Sequence, residues 1–474
     1  MSSDTSPLDA ISSYVTGRRN LLRGALALGG AAALGPTLAS CASPSSPTAG
    51  GKTTITIANV ANPLTTTLEK HTKSVFEKAN PDLSITFLTL PETELRQRVT
   101  RDVSTGAGEF DAVVIGPYEI AVWTQNGWLE PLEQMAAADS AYQLDDLMPM
   151  TRSYLSADNK LYGAPIYAES ACLMYRQDVL SKLGITVPEA PAWPDMLNLA
   201  REVHGTQFEG KTLTGTTMRG IAGEILTPLL PMVSTYGGRI VAPDWAPTLL
   251  EEPTLQAITD YVSLLQETGQ PSVATAGYTE SLASMGQGQS VFWIDSTVAG
   301  ATLEDPSQST VAGKLGYALA PHKQTDFGGN FWSWALSILS SSKKKEATWR
   351  FLSWATSLDY LKVVAEDSGW ATVPPGTRQS LYDIPEYLKA TPNAKVTLKS
   401  FELGSAPDSE VILKPTAPGR PVSYFDHPNW WDFNLQMTAP LTAAVANKTS
   451  AAEAAKAAQA AAEAAMRQSG MWKG

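Results

Sequence analysis

Asp111-Ala112-Val113-Val114-Ile115 is a short, unbroken apolar run, the composition of a strand buried on both faces of a sheet. Upstream of it, Pro91 opens a helix through Glu92, Leu95 and Val99 that ends near Gly106, with proline at the start and glycine at the stop. Earlier still, Leu83 to Leu90 alternates as a strand and Asn80-Pro81-Asp82 is a turn. Thr65 to Ala79 carries Leu68, Val75 and Phe76 at helical spacing. The series begins at Thr53. Thr54-Ile55-Thr56-Ile57 alternates with β-branched residues, and Asn59-Val60-Ala61-Asn62-Pro63 breaks it. The order is β-α-β-α-β, and parallel strands with helical crossovers build a doubly wound α/β sheet with helices on both sides.

Downstream the pattern recurs at larger scale. Leu161 to Tyr167 is extended, Cys172-Leu173-Met174-Tyr175 is a strand, and Trp193 to His204 is helical. Ser290 to Ile294 reads as a strand after a Gly-Gln-Gly turn, Phe331 to Ile338 as another, and Lys344 to Ser357 as an amphipathic helix. The Lys343-Lys344-Lys345 run is its solvated first turn. The alanine-rich stretch from Ser450 to Gln468 has Ser450 and Glu453 placed as a capping box and Gly470 as a stop, and its alanine content predicts a surface helix.

The first forty residues have a different logic. Arg18, Arg19 and Arg23 precede a run of Ala, Leu and Gly from Gly24 to Leu38, which closes on Leu38-Ala39-Ser40-Cys41. A basic segment, an apolar segment and a small-residue cleavage site together make an export signal. The apolar part is too short and too glycine-rich to span a hydrocarbon core of about 30 Å as a stable helix. A cysteine at the cleavage point resembles the lipobox of bacterial lipoproteins, which implies lipid attachment at Cys41. Gly17-Arg18-Arg19-Asn20-Leu21-Leu22 resembles a twin-arginine signal, implying export of a folded chain. Residues 1–40 are therefore expected to be removed, and 41–51 (CASPSSPTAGG) to form a flexible tether.

The remaining 434 residues suffice for two domains, and the 43% hydrophobic content supports a sizeable core. The leader takes three arginines and two aspartates with it, so the formal charge moves from −12 to −13. An acidic chain is poorly suited to nucleic acid or anionic lipid, so a lipid chain rather than a basic patch must hold it at a membrane. With Cys41 acylated, Cys172 has no intramolecular disulfide partner and reads as a small buried hydrophobe. Thirteen tryptophans are a surplus, and outside the cell such a surplus often serves carbohydrate binding.

Catalytic motifs are sparse. Neither Gly-x-Ser-x-Gly nor His-Glu-x-x-His occurs, and the four histidines (71, 204, 322 and 427) are scattered singly, which points away from a metal cluster or a Ser/His pair. No catalytic residue, metal or other cofactor is expected. The polar and aromatic residues gather instead at the C-terminal ends of strands, where open α/β sheets bind ligands. Asn59 and Asn62 follow the first strand, Glu92 the second, and Tyr118 and Glu119 the third. Tyr167 and Glu169 follow the Leu161–Ile166 segment, and Asp295 follows Phe292-Trp293-Ile294. Carboxylates accept hydrogen bonds from adjacent hydroxyls, and indole faces cover the C–H patches of a sugar or polyol. Trp332 and Trp334, two apart on a strand, share one face, which is either hydrophobic core or ligand cleft. Trp370 sits in a loop, where core packing alone explains an indole less well. Trp430-Trp431 opens the late helical region as lid or core, and Arg219 is either a fork donor to a hydroxyl pair or a surface arginine.

In this order and spacing, five stretches carry a family likeness: LRQRVT at 95–100, GAGEFDAVVIGPYE at 106–119, NGWLEPL at 126–132, LMYR at 173–176 and GWATVPPGTR at 369–378. With them, residues 52–470 resemble the bacterial extracellular solute-binding proteins of sugar ABC importers, and more narrowly their sorbitol/mannitol branch. The resemblance implies two lobes joined by a hinge and closing on one ligand. Three departures stand near the expected cleft. Arg219-Gly220-Ile221-Ala222-Gly223-Glu224-Ile225 is shorter than the branch's stretch and lacks its tryptophan. Ala168 and Ala171 stand where Gly and Ser are usual, and Pro415 to Trp431 is unlike the branch, bringing in Tyr424 and Phe425. A neutral sugar or polyol is implied, without a choice between sorbitol and mannitol.

The expected architecture is periplasmic-binding-protein-like, with one lobe of 52–163 plus 336–373 and another of 164–335 plus 374–470. The crossovers are placed near Gly163–Ile166, Asn330–Ala335 and Thr372–Thr377. Asn62, Glu92, Tyr118, Tyr167, Glu169, Arg219, Asp295, Trp332, Trp334 and Trp370 are the expected ligand-binding residues. The expected partner is a membrane permease, and the expected state a monomer tethered by its lipid on the extracytoplasmic face. The alternative is a secreted glycosidase, which needs two carboxylates flanking one bond.

Overall fold

The first strand, β1 (Thr53–Val60), runs into the break expected at Asn59–Pro63, because Ala58 and Val60 are buried and Asn59 holds Glu69 and Thr89 with its side chain. The computed structural model describes residues 51–405, 419–420, 424–425, 427 and 430–474. Helix α1 (Pro63–His71) starts two residues earlier than expected. Asn62 caps it, its Oδ1 accepting from the Thr65 amide at 2.9 Å, with proline in the first turn. A π-helical turn, Thr72–Phe76, continues it. Then come β2 (Leu83–Leu90), α2 (Glu92–Thr105), β3 (Ala112–Ile115) and α3 (Pro117–Gln125). The chain proceeds through β4 (Ala164–Glu169), β5 (Ala171–Arg176), α4 (Trp193–Val203), β6 (Thr214–Thr217), α5 (Leu226–Thr235), α6 (Glu252–Thr268) and α7 (Tyr278–Gly286). The remaining principal elements are β7 (Ser290–Ser296), β8 (Leu315–Leu319), β9 (Trp332–Ile338), α8 (Lys345–Ala355) and α9 (Leu358–Ser368). Helices α10 (Ala394–Ser405), α11 (Trp430–Val445) and α12 (Ala451–Gln468) complete the series.

Two mixed sheets organise two α/β lobes. The first has the order β2-β1-β3-β9-β4 and the second β6-β7-β5-β8. β1 is parallel to β2 and β3, as the β-α-β-α-β reading requires, but β9 runs antiparallel to both β3 and β4. The sheet is mixed because β4 leaves for the second lobe while β9 returns from it, so adjacent strands must point in opposite directions.

The first and third crossings fall later in the chain than the sequence places them, and the second falls earlier. β4 (164–169) and the start of β9 (332–335), assigned to the second lobe from sequence, both pair in the first sheet. Ser170 alone separates β4 from β5, and its Oγ lies 2.6 Å from Ser400 Oγ and donates to the Asn330 carbonyl at 2.8 Å. The chain returns between Leu319 and Trp332. Val373, Leu381, Tyr387 and Phe401 belong to the first-lobe core, so the segment after 373 stays with that lobe through much of α10. A Cβ on Gly376 (φ +76°) would stand 2.2 Å from the Ala168 carbonyl oxygen, which makes glycine obligatory where this segment passes β4.

The first core gathers Ile55, Ile57, Val113, Val114, Leu336 and Phe351, and the second Cys172, Met174, Tyr261, Phe292, Trp293 and Met437. Each such side chain, fully buried, stabilises its lobe by about 1.5–3 kcal/mol. Cys172 is fully buried and burial pushes its thiol pKa up, as expected of an inert structural cysteine.

Two surface expectations are corrected. Helix α12 has the expected capping box, but Ala454, Ala458, Ala462 and Met466 form a buried i, i+4 stripe, because small side chains let it lie close on α11 and α6. The lysine run is not merely solvated. Lys344 Nζ donates to the Thr54 carbonyl at 2.8 Å and to Asp111 at 2.9 Å, and Lys345 pairs with Glu130 at 2.6 Å. Among the described residues no helix is long and apolar enough to cross a membrane, and no His/Cys/Asp/Glu cluster could hold a metal ion. Cys41, the leader and nearly all of the tether lie outside the described residues.

Candidate functional site

The β4–β9 ladder builds one wall. Trp332 stands opposite Glu169 and Trp334 opposite Tyr167, so alternate residues of both strands put two indoles, a phenol and a carboxylate on one face. The two indoles meet edge to face with centroids 5.7 Å apart. A Cβ on Gly116 would come within 2.4 Å of the Trp332 ring, so glycine there admits the indole at the start of α3. At the neighbouring strand end, Asn62 donates to Tyr167 Oη at 3.4 Å. Its carbonyl side of the amide is committed to the helix cap, so the NH2 group is the part turned toward the tyrosine.

A buried guanidinium braces this wall. Arg96, on α2, pairs with Glu92 at 2.9 Å and with Glu119, whose other oxygen accepts from the Gly116 amide at 3.0 Å. Arg96 Cζ lies 5.8, 5.2 and 4.7 Å from the ring centroids of Trp332, Trp334 and Trp431, within cation–π range of each. Burial pulls the Arg96 pKa below its usual value, against the pull of Glu92.

The second lobe supplies the facing wall from the ends of β6 and β7. Arg219 Nε and Nη2 donate to the two Asp295 oxygens at 2.8 and 2.6 Å, and Nη1 reaches Glu224 at 3.4 Å. Beneath it, the Tyr278 ring centroid is 5.1 Å from Cζ, and Tyr261 Oη donates to the Arg219 carbonyl at 2.7 Å. Burial works against the Arg219 charge, but Asp295 more than offsets it and the pKa lies above its usual value.

Glu169 joins the two walls. It belongs to the first sheet, yet accepts a hydrogen bond from Ser296 Oγ of β7. Burial raises its pKa to about 7. Ser296 and Arg219 oppose the rise, and the negative charges of Asp295 and Glu92 add to it. Tyr167, beside it, is pushed up by burial and then by Glu169. Near neutrality the Glu169 carboxyl exists in both forms, as a donor or as a double acceptor for ligand hydroxyls.

Of the residues expected from sequence, Asn62, Glu92, Tyr167, Glu169, Arg219, Asp295, Trp332 and Trp334 converge here. Trp334 is 6% exposed within the first-lobe core and shares its face with Tyr167, and Trp332 is part-buried against both cores. Arg219 forks onto Asp295 rather than presenting both donors outward. Two expected residues are held by other contacts, Tyr118 among them although it lies near the Arg96 charge. Tyr118 packs with the second-lobe core, its Oη donating to the His427 carbonyl at 2.9 Å and accepting from the Trp430 amide at 3.3 Å, so it ties the lobes together. Trp370 occupies the short turn Trp370–Thr372 after α9, half-buried against the first-lobe core. A loop position leaves the indole free to pack on its own lobe, and it does. Trp430 is core, whereas Trp431 lies 39% exposed over Arg96.

The structure adds Arg96, Ser296, Tyr278 and Glu224 to the set. Arg96 was legible only as the i+4 partner of Glu92, Ser296 only as the residue after Asp295, and Glu224 lies in the shortened stretch after Arg219. Tyr278 carries no sequence signal. One motif is passed over in the sequence reading, which expects no phosphate-binding loop: Gly205-Thr206-Gln207-Phe208-Glu209-Gly210-Lys211-Thr212 has the spelling of one. The fold makes it an antiparallel hairpin of Gln207–Phe208 with Lys211–Thr212, turning at Glu209 and Gly210. No helix N-terminus follows to receive a phosphate.

The sequence profile of the bacterial extracellular solute-binding proteins matches residues 59–361. The mannitol-binding protein of Pseudomonas aeruginosa is 39% identical over 357 residues, covering 75% of this chain and 80% of its own. An ABC transporter solute-binding protein from Agrobacterium vitis, solved with bound D-mannitol, superposes with a TM-score of 0.80 at 40% identity, over 88% of this chain and 99% of that one. At 20% identity, a solute-binding protein from Agrobacterium radiobacter in complex with ribitol has a TM-score of 0.74, over 87% and 99%, a likeness of fold.

Proposed function

We propose, from the premise that this chain belongs to the bacterial extracellular solute-binding proteins, that it captures an acyclic polyol between its two lobes and delivers it to the permease of an ABC importer. The observation that carries this reading is Glu169. A carboxyl on a first-lobe strand, flanked by Trp332 and bonded to Ser296 of the second lobe, puts hydroxyl recognition where the two walls meet. Two relatives near 40% identity are named for mannitol or hold it, which supports a six-carbon polyol as the first ligand to test. The same likeness favours transport over the glycosidase alternative, since the family binds and releases its solute unchanged.

The lobes divide at Ser170, within 320–331, and after α10. The indoles of Trp332 and Trp334 cover the C–H face of the ligand, while Asn62, Glu92, Tyr167, Glu169, Arg219 and Asp295 order its hydroxyls. Acylation of Cys41 tethers the protein at the extracytoplasmic face through residues 41–51. Calorimetric titration with mannitol, sorbitol, ribitol and erythritol tests the ligand class. Saturable binding of at least one is expected, and the absence of heat or thermal shift with all four removes the reading. Cys41→Ala tests the anchor: the protein is expected to leave the membrane fraction, and a processed variant that stays membrane-bound refutes lipid attachment.

A further inference from the structure

The charges of the site do not cancel. Arg96 is shared by two carboxylates, Glu92 and Glu119, so that triad carries one net negative charge. Arg219 is likewise shared by Asp295 and Glu224, leaving a second. Glu169 adds a third in its ionised form, and among the described residues it is the site carboxylate whose hydrogen-bond partner is a hydroxyl, Ser296, and not a guanidinium. No lysine pairs with any of the five carboxylates among the described residues.

Glu169 also has the neighbour that a cation needs. Trp332 lies directly across the ladder from it, and the ring quadrupole of an indole attracts positive charge at its face. The same tryptophan pair already flanks one cation, the Arg96 guanidinium. An ammonium beside Glu169 gains an ionic hydrogen bond and an aromatic neighbour. A carboxylate in the same place meets the net negative charges of the two triads, and a third when Glu169 is ionised, among buried side chains where opposition between like charges is a strong device of specificity.

Building on the polyol reading, we infer that the site takes protonated amino polyols as well as neutral ones, with the ammonium placed between Glu169 and Trp332, and that it rejects the corresponding sugar acids. The ligand class is then set by charge as well as by hydroxyl pattern.

Mannitol, 1-amino-1-deoxy-D-mannitol and D-mannonate share one carbon chain, and mannitol's two ends are equivalent, so the three differ only in the terminal group. Competition titrations at neutral pH and fixed ionic strength are expected to give the amine a Kd within tenfold of mannitol's, or tighter, and mannonate one at least tenfold weaker. Glu169→Gln is expected to weaken both neutral and amino ligand, but to raise the ratio of amine Kd to mannitol Kd at least tenfold. An amine more than tenfold weaker than mannitol, mannonate within tenfold of it, or an unchanged ratio in the variant overturns the inference. Failure of all three ligands to bind overturns the inference, and only when sorbitol, ribitol and erythritol fail as well is the polyol reading removed with it.

Discussion

Arg219 and Asp295 hold each other by two parallel hydrogen bonds, at 2.8 and 2.6 Å, with the aspartate side chain fully shielded from solvent. The pair is both a wall of the cleft and a structural element of the second lobe, because a buried guanidinium deprived of its carboxylate is costly.

Removing the carboxylate therefore tests both roles. Asp295→Ala is expected to lower the unfolding free energy by about 3–5 kcal/mol, the range for breaking a buried ion pair, and to abolish detectable polyol binding. Urea denaturation and calorimetry measure the two losses separately. Full stability with affinity lost would mean that Arg219 is held by Glu224 alone.

Glu169 makes stability depend on pH in a stated direction. Its pKa is about 7 in the folded chain against 4.5 for the ordinary side chain, so between those values the native state binds a proton that the unfolded chain does not. Stability then falls as pH rises through this window, by up to about 3 kcal/mol, and levels off above it. Glu169→Gln removes the dependence. The variant is expected to gain melting temperature relative to wild type at pH 8 and to lose that advantage at pH 4.5. A gap that is equal at both pH values would place the Glu169 pKa near its ordinary value.

Two tryptophans of the first lobe are expected to separate by role. Trp334→Ala is expected to weaken polyol binding by about 1–3 kcal/mol as a lost aromatic anchor. Trp370→Ala is expected to lower stability by about 1–3 kcal/mol with affinity retained, since that indole packs on the first-lobe core. Parallel melting curves and titrations decide the matter, and loss of affinity at Trp370 alone would reverse the assignment.

Tyr118 reaches from α3 to the His427 carbonyl and the Trp430 amide, which couples the lobes through one hydroxyl. Tyr118→Phe removes two hydrogen bonds, each of about 0.5–1.5 kcal/mol, from the closed arrangement only. Its expected signature is a larger radius of gyration by X-ray scattering without ligand, and roughly two- to tenfold weaker affinity. Saturating polyol should restore the wild-type radius. Identical scattering for both proteins at every ligand concentration would show that this contact does not bias the hinge.

Strand identity and most of the strand-end site were readable along the chain, because both rest on local signals. The apolar run at 111–115, the period of two at 83–90 and the capping box at Ser450 act over a few residues. A polar residue at the end of a parallel strand faces the crevice whatever the rest of the fold does. Lobe boundaries were less readable. Extended segments at 164–169 and 332–335 look the same in either sheet, and only their antiparallel pairing with each other and with β3 assigns them to the first.

What the sequence by itself determined was the two-lobed α/β class, the positions of Glu169, Asp295, Arg219 and the Trp332–Trp334 pair, and the excess of acid over base. Tertiary structure alone decided which of these meet. The pairing of Arg219 with Asp295 joins residues 76 positions apart, and the contact of Glu169 with Ser296 joins residues 127 apart. Such pairings depend on the sheet register and on where the chain crosses between lobes, to which no local spacing is sensitive. For the same reason no local signal decides whether Trp370 faces ligand or core, since that is a property of the surface opposite it.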